Sequence, residues 1–273
     1  MNKLAAQDLA SRGWARFAPD LALAPWVAAA RLAAQDAIRQ SPDPWRCGDT
    51  WFAGVDALPN DAAGAVAGTA SGTGAGAAVA LRGAAIDTVH AAFAPLPLHR
   101  AQLSVTRPGY PQPWSGESDQ AFGYRLRRDA AHLDGLLPIG PSRRRMLREP
   151  HAFILGLPLT GADPQAAPLA LWEGSHRIMR RALAAALADI APSRWADTDI
   201  TDAYHAARRE VFQTCTRLTL QPMPGETLLV HRLTLHGIAP WADGAGAPPE
   251  GRMIAYFRPE FPAQRLSDWL FSD

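Results

Sequence analysis

Residues Thr216–Val230 have the sequence Thr-Arg-Leu-Thr-Leu-Gln-Pro-Met-Pro-Gly-Glu-Thr-Leu-Leu-Val, in which two short apolar runs flank a Pro/Gly turn. Apolar runs of this length, bounded by turn residues, predict β-strands. The same texture begins at residue 101 and recurs at Ala101–Thr106, His151–Leu159, Pro168–Trp172 and Arg252–Arg258. Many short strands separated by turn signals predict a β-sandwich or barrel.

The first hundred residues have a different texture. Asn60–Ala80 is almost entirely Ala, Gly, Thr, Ser and Val, which indicates a surface loop or loosely packed connector with too little bulk to anchor a core. Strong helix formers and apolar periodicity predict helices at Leu4–Ser11, Leu21–Arg39 and Ala84–Phe93, and, between the strands, at Arg177–Ile190 and Ile200–Phe212.

The composition is that of a folded protein with a sizeable core. The chain has 273 residues, of which 48% are hydrophobic, and β-barrels of this size commonly form one domain. We expect a single domain over residues 1–273, with a helical buttress and connector at 1–100 and the β-rich core at 101–262. A net charge of +1 gives no overall field to attract nucleic acid or an anionic membrane, so a small molecule is the expected partner. The oligomeric state stays open.

The two cysteines, Cys47 and Cys215, match no disulfide or metal-binding framework. The N-terminal residues do not have a secretory pattern, and the sequence has no long apolar span. These features predict a cytoplasmic location with both thiols reduced.

A candidate metal site combines His132-Leu133-Asp134 with His236 in Leu235-His236-Gly237. Residues i and i+2 of a strand share a face, so His132 and Asp134 can converge on one ion. Two histidines and one carboxylate on one face of an octahedron leave three positions open, as non-heme Fe(II) oxygenases require. The triplet by itself is equally compatible with a polar strand end in which Asp134 meets a backbone amide.

Other histidines compete for the third position. His231 lies five residues before His236, so one regular strand would direct the two side chains to opposite faces, and only one of them could bind the ion. We favour His236 and keep His231 as the alternative. His176 follows Gly174-Ser175 at a predicted strand-to-helix turn, where a capping or surface role is favoured over a ligand role.

Arg252, 16 positions after His236, is the candidate anchor for an anionic cosubstrate. A keto acid bound to iron would project its far carboxylate into the barrel, where burial without a partner is costly. A guanidinium is a planar, permanently charged partner for a carboxylate. The alternatives are Arg258 on the same face, or a surface role in which Arg252 pairs with Glu250 or Glu260.

Several motifs in this order resemble the phytanoyl-CoA dioxygenase-like branch of the Fe(II)/2-oxoglutarate oxygenases. They are the opening strand at Arg12–Phe17, Pro168–Arg177 with Trp-Glu-Gly-Ser-His in place of the usual Pro-Gly-Ser-His, Pro224–Val230, the Leu-His-Gly at 235–237 and the arginine strand at Gly251–Ile254.

This resemblance implies a mainly β fold with flanking helices, a double-stranded β-helix of the jelly-roll or cupin-like type. It also implies Fe(II), 2-oxoglutarate and O2 as cofactor and cosubstrates, with His132, Asp134 and His236 as iron ligands and Arg252 as the 2-oxoglutarate anchor. The implied reaction couples oxidative decarboxylation of 2-oxoglutarate to hydroxylation of a substrate C–H bond. Asp134 argues against a halogenase, because chloride-binding relatives lack this ligand.

Arg107–Ala131, just before the first ligand, is rich in Pro and Gly and poorly periodic, which suits either an active-site lid or an ordinary surface loop. Its candidate substrate residues are Tyr110, Trp114, Tyr124 and Arg125. A local excess of arginine would select an anionic substrate if it lined the entrance, although such a run is usually a solvated face. These arginines are Arg125, Arg127, Arg128, Arg143, Arg144, Arg145 and Arg148.

Two other classes of function remain open. A noncatalytic binding protein on the same barrel would keep the core but would not need three ligands and an arginine. A cupin-type metalloenzyme that does not use 2-oxoglutarate would keep the ligands but would not need Arg252. Hydroxylation is preferred over desaturation or ring formation, and the substrate itself is not identified by the sequence.

Overall fold

The computed structural model describes residues 3–68, 76–93 and 96–272. Strands and helices alternate through this region. The elements of the first hundred residues are α1 (Lys3–Arg12), β1 (Trp14–Phe17), α2 (Ala24–Gln40), β2 (Trp51–Gly54), β3 (Val66–Gly68), β4 (Gly76–Val79) and α3 (Ala84–Phe93).

The remaining residues hold most of the strands. The elements are β5 (Gln102–Thr106), α4 (Asp119–Arg128), β6 (Leu136–Ile139), β7 (Arg144–Leu147), β8 (Phe153–Pro158), β9 (Leu169–Trp172), α5 (Ser175–Ala186), α6 (Thr201–Thr214), β10 (Arg217–Leu220), β11 (Thr227–His231), β12 (His236–Ile238), β13 (Arg252–Phe257) and α7 (Asp268–Phe271).

The protein is mainly sheet with flanking helices, as predicted. Six strands form a major sheet in the order β1-β11-β8-β13-β5-β2, and three form a minor sheet in the order β10-β9-β12. Two small hairpins, β3-β4 and β6-β7, complete the described strands. All pairings in these sheets are antiparallel. The major sheet takes its two edge strands, β1 and β2, from the first hundred residues.

Alternation along the strands gives the major sheet two apolar faces. One face packs against the N-terminal helices. On that face Phe257 meets Trp26 of α2 with ring centroids 6.0 Å apart, and Phe153 meets Phe93 of α3 at 4.9 Å. Residues on the other face pack against the minor sheet in a second apolar cluster, whose buried members are Trp14, Ile154, Leu169, Leu171, Leu228 and Val230. The two sheets therefore face each other across an apolar interior.

The segments expected to be strands and helices are confirmed to within a few residues, with α5 ending at Ala186 rather than Ile190. The interpretation of Asn60–Ala80 as a connector without core contacts is wrong in part. Its described residues contain β3 and β4, Val66 is fully buried, and Gly64 accepts a hydrogen bond from the Trp26 indole at 2.7 Å. Residues 69–75 of this stretch lie outside the described part.

Across the described ranges, no helix combines the length and apolarity needed to cross a bilayer.

Gly237 marks a very close backbone approach near the predicted ligands. A Cβ atom at this position would lie 2.0 Å from the carbonyl oxygen of Asp129. That carbonyl accepts a hydrogen bond from the amide of Ile238 at 3.0 Å, so β12 runs directly against the segment before His132. Only glycine fits here without moving backbone.

We predict that Gly237→Ala destabilises the protein by about 1–3 kcal/mol, the usual cost of forcing an atom into a packed interior. Gly161→Ala is the matched control, because its new Cβ would meet only the flexible end of Met223. Thermal unfolding by calorimetry measures both variants. Equal melting temperatures for the two would contradict the prediction.

Candidate metal centre

Backbone pairing brings the two histidine segments together. The amide of His132 donates to the carbonyl of His236 at 2.8 Å, and the amide of His236 donates to the carbonyl of His132 at 3.2 Å. His132 therefore lies on an isolated bridge to β12, not on the regular strand that was expected. Asp134 lies two residues further on, at the start of a turn.

The structure places the three predicted ligand side chains in one cluster. One ligand atom each from His132, Asp134 and His236 lies within 4.8 Å of the others, and no second group of this kind occurs in the described ranges. The Oδ1 atom of Asp134 is 3.2 Å from Nε2 of His132 and 3.8 Å from Nε2 of His236. Two imidazoles and a carboxylate are a donor set suited to a divalent transition metal, and they leave positions for other ligands.

The far nitrogen of each imidazole is held by a backbone carbonyl. Nδ1 of His132 lies 2.9 Å from the Ala130 carbonyl, and Nδ1 of His236 lies 2.9 Å from the Thr234 carbonyl. A carbonyl only accepts, so each Nδ1 carries a proton. Nε2 is then the nitrogen of each ring that faces Asp134 and would bind a metal once it is deprotonated.

Electrostatics set the charge of each donor. Burial by itself would lower the pKa of His132, but its hydrogen bond to Asp134 and the charge of that carboxylate raise it. Burial by itself would raise the pKa of Asp134, but the hydrogen bond with His132 and the charges of Arg258, His236 and His132 hold it well below its ordinary value. Burial lowers the pKa of His236. Asp134 is thus a carboxylate and His236 a neutral imidazole at neutral pH, and a metal that binds the cluster has to displace the Nε2 proton that His132 shares with Asp134.

His231, the alternative ligand, lies elsewhere. It ends β11, and its ring packs 5.0 Å from that of His176, with Arg180 beside it. Its Nδ1 accepts a hydrogen bond from the amide of Leu233 at 3.0 Å. The structure therefore packs the two other candidate ligands, His231 and His176, against each other and outside the cluster.

A cavity of about 390 Å³ opens on the cluster between the two sheets. Its polar lining residues besides the triad are Arg46, Gln102, Ser104 and Arg258. Its apolar walls include Trp51, Val55, Leu137, Ile154, Leu169, Val230, Ile238 and Tyr256. The space suits a small molecule with an apolar body.

Arg252 is fully buried, and its Nε donates to Oε1 of Gln221 at 3.0 Å. Both terminal nitrogens, NH1 and NH2, are buried without a hydrogen-bond partner among the described residues. Arg252 is in register with Thr106 on β5, and Thr106 with Trp51 on β2, so the three side chains share one row of the sheet. Thr106 Oγ1 and Trp51 Nε1 are likewise buried and unpartnered in the described structure.

This row has the properties of an anion site. A buried guanidinium with two unused NH2 groups is costly unless an acceptor neutralises it. The hydroxyl of Thr106 and the indole N–H of Trp51 add two further donors beside it. Trp51 also lines the cavity of the His-Asp-His cluster, so the row borders that cavity at Trp51. Sequence reasoning missed Trp51 and Thr106, although the apolar run at residues 51–54 was a signal for β2.

The four predicted substrate residues lie outside that cavity lining. Tyr110 is buried against Trp51, with ring centroids 6.2 Å apart, and Trp114 is exposed. The Tyr124 hydroxyl donates to the carbonyl of Ala131 at 2.6 Å, and Arg125 pairs with Glu117. A contact of these residues with substrate stays a prediction.

The segment Arg107–Ala131, which contains these residues, is more regular than predicted. Helix α4 occupies Asp119–Arg128, with the Ser118 side chain accepting the amide of Ala121 as an N-cap. Irregular structure was expected here because Pro and Gly dominate the residues before it. The serine cap followed by an acidic first turn was the helix signal that we missed.

None of the seven arginines of the local basic run lines the cavity. Arg144 pairs with Asp199, Arg148 lies 3.3 Å from Asp197, and Arg145 donates to the carbonyl of Leu136 at 2.9 Å. The cations that do line the cavity are Arg46 and Arg258.

Comparisons with known proteins agree with this architecture. No family model matches the chain, and no curated protein matches it. Among solved structures, the epimerase SnoN in complex with Fe3+, alpha ketoglutarate and nogalamycin RO matches with a TM-score of 0.50 and 14% identity, over 99% of this chain and 91% of its own. The non-heme alpha ketoglutarate dependent carbocyclase SnoK, from nogalamycin biosynthesis, matches with a TM-score of 0.49 and 14% identity, over 98% and 90%. The likeness to SnoN confirms, at the level of the fold, the expected resemblance to the iron and 2-oxoglutarate oxygenases.

We predict that His132→Ala, Asp134→Ala and His236→Ala each weaken divalent metal binding by more than the roughly 10- to 100-fold that loss of a ligand's supporting partner costs. His231→Ala should leave the affinity of the folded protein unchanged, because its ring lies outside the cluster. Calorimetric titration with Co(II) or Ni(II) measures all four variants. Full binding in His236→Ala together with loss in His231→Ala would reassign the third ligand.

Proposed function

We propose that this protein is an Fe(II)- and 2-oxoglutarate-dependent dioxygenase that hydroxylates a C–H bond of a small, anionic organic substrate. The observation that carries the proposal is the His-Asp-His cluster together with the buried guanidinium of Arg252, whose terminal nitrogens have no hydrogen-bond partner among the described residues and whose row of the sheet reaches the cavity of the cluster at Trp51. A cupin-type enzyme without a keto acid would have no use for that guanidinium. A noncatalytic binding protein would have no use for both features.

The residues present fit an iron ion. His132, Asp134 and His236 would hold it through two imidazole nitrogens and one carboxylate oxygen, a set that leaves room for a bidentate keto acid and for O2. Bound iron would supply the oxidative chemistry, with 2-oxoglutarate decarboxylated to succinate. The chain's own task is to fix the ligands, bind the cosubstrate, position the substrate C–H bond and exclude water.

The row of Arg252, Thr106 and Trp51 would hold the far carboxylate of 2-oxoglutarate. Two guanidinium NH2 groups match a carboxylate in a bidentate pair, and the hydroxyl and the indole N–H can donate to the same oxygens. Gln221 fixes the guanidinium from behind through Nε. SnoN, whose solved complex contains Fe3+ and alpha ketoglutarate, supports this choice of cosubstrate.

The cavity supports the substrate class. Its apolar walls suit a hydrocarbon body, while Arg46, which lies in the same lining as the ion pair of Arg258 with Asp134, supplies a positive charge that favours an anionic group. Asp134 stays in place as the carboxylate ligand, which favours hydroxylation over halogenation. We also propose that the two facing sheets form a double-stranded β-helix, and that residues 1–273 work as one domain.

The function is tested by cosubstrate turnover. Protein loaded anaerobically with Fe(II) and then exposed to O2 and 2-oxoglutarate should form succinate and CO2, and small carboxylates, amino acids and acyl thioesters should be screened for stimulation of this turnover. A cupin-type enzyme would oxidise a substrate without succinate formation. Absence of succinate with every candidate, in protein that binds iron, would contradict the proposed function.

We predict that Arg252→Gln weakens 2-oxoglutarate binding by roughly 30-fold to several thousand-fold, because loss of one partner of a buried charge pair costs about 2–5 kcal/mol. Metal affinity should change little. Arg16→Gln is the control, since Arg16 forms an ion pair with Glu226 at the sheet edge. Calorimetric titration of the Ni(II)-loaded protein with 2-oxoglutarate gives the affinities. An unchanged affinity in Arg252→Gln would remove Arg252 as the anchor.

A further inference from the structure

Arg258 follows the last residue of β13 and reaches into the candidate metal centre. Its NH1 atom lies 3.3 Å from Oδ2 of Asp134, and the two side chains are only 12% and 13% exposed. Asp134 therefore uses its two oxygens differently. Oδ1 faces the Nε2 atoms of both histidines, while Oδ2 faces the guanidinium.

The backbone of Arg258 is fixed on both sides by histidine side chains. Its amide donates to Nε2 of His99 at 2.9 Å. Its carbonyl lies 2.8 Å from Nδ1 of His151, which is the donor because a carbonyl only accepts. His151 is itself held by Glu149 at 3.2 Å. These contacts fix the point from which the guanidinium extends toward Asp134.

We propose that Arg258 is a positioning residue that keeps Asp134 a one-oxygen metal ligand and so keeps a coordination position open. A carboxylate beside a divalent ion can bind through one oxygen or both. An ion pair at Oδ2 favours the one-oxygen mode, because binding through both oxygens would break that pair. With two imidazoles and one oxygen bound, an octahedral ion has three open positions, whereas a second carboxylate oxygen would leave two.

The number of open coordination positions matters for the proposed function. The importance of Arg258 for catalysis therefore rests on that function. A bidentate keto acid takes two positions, and O2 needs a third. Without Arg258, a doubly bound Asp134 would admit the keto acid and leave no position for O2. The coordination mode of Asp134 can nevertheless be measured with the metal alone.

Water-proton relaxivity of the Mn(II)-loaded protein counts the water molecules on the ion. Arg258→Met, which fills the same space without a hydrogen-bond donor, should lower the relaxivity per bound Mn(II) by about one third, as expected if three water positions become two. Arg258→Lys keeps a charged donor and should restore the wild-type relaxivity. Arg46→Met is the matched control, because Arg46 lines the same cavity while the described partner of Asp134 Oδ2 is Arg258; it should leave the relaxivity unchanged.

Thermal unfolding confirms that each variant is folded, and Arg258→Ala replaces Arg258→Met, with the same expected fall, if the latter does not unfold cooperatively. Equal relaxivity in wild type and in the donor-free variants would overturn the proposal. The same fall in Arg46→Met would also overturn it, since the effect would then follow the charge of the cavity.

Addition of 2-oxoglutarate is a separate experiment. Wild type should then keep about one third of the water bound to the ion, and Arg258→Met should keep none. No response of wild type to 2-oxoglutarate would count against the proposed function and leave the metal-only result intact.

Discussion

The two backbone hydrogen bonds between His132 and His236 are the constraint on which the candidate metal centre depends. They bring together ligands that lie far apart along the chain, and they use backbone amide and carbonyl groups, not side chains. The glycine after His236 permits the approach, because any side chain there would strike the Asp129 carbonyl. His236 is also in register with Leu171 of the minor sheet, so the position of the ligands is inherited from sheet pairing.

Arg252, at the start of β13, and Arg258, just after its end, have different electrostatic surroundings. Arg258 has an acidic partner in Asp134, while the terminal nitrogens of Arg252 have none in the described structure. The inter-sheet space thus holds more positive than negative charge before any ligand binds. Burial makes that imbalance costly, and anions of the right shape relieve it. Under the proposed function, the far carboxylate of 2-oxoglutarate is one such anion.

Local patterns predicted most of the regular structure. Short apolar runs marked β8, β9, β11 and β13 because their burial leaves little freedom in residue type, and the donor types of His132, Asp134 and His236 marked the cluster. Strand β2 was missed because an apolar run of four residues is too short to be distinguished from a loop until its pairing with β5 is known. Val66 was misjudged because its weakly apolar neighbours concealed a fully buried side chain. The contact of Arg258 with Asp134 depends on register and turn geometry, which no local pattern encodes.

Because the ligands come from two distant segments of the chain, a bound ion would also affect the stability of the fold. An ion held by His132, Asp134 and His236 would join the turn before β6 to the strand β12, closing a long loop of chain. It would act as a reversible cross-link, and its hold on the fold would follow mass action, growing with the logarithm of free metal concentration. Depletion of metal would then loosen the same strand that lines the cavity, so the supply of metal would govern the rigidity of the binding site along with its chemistry.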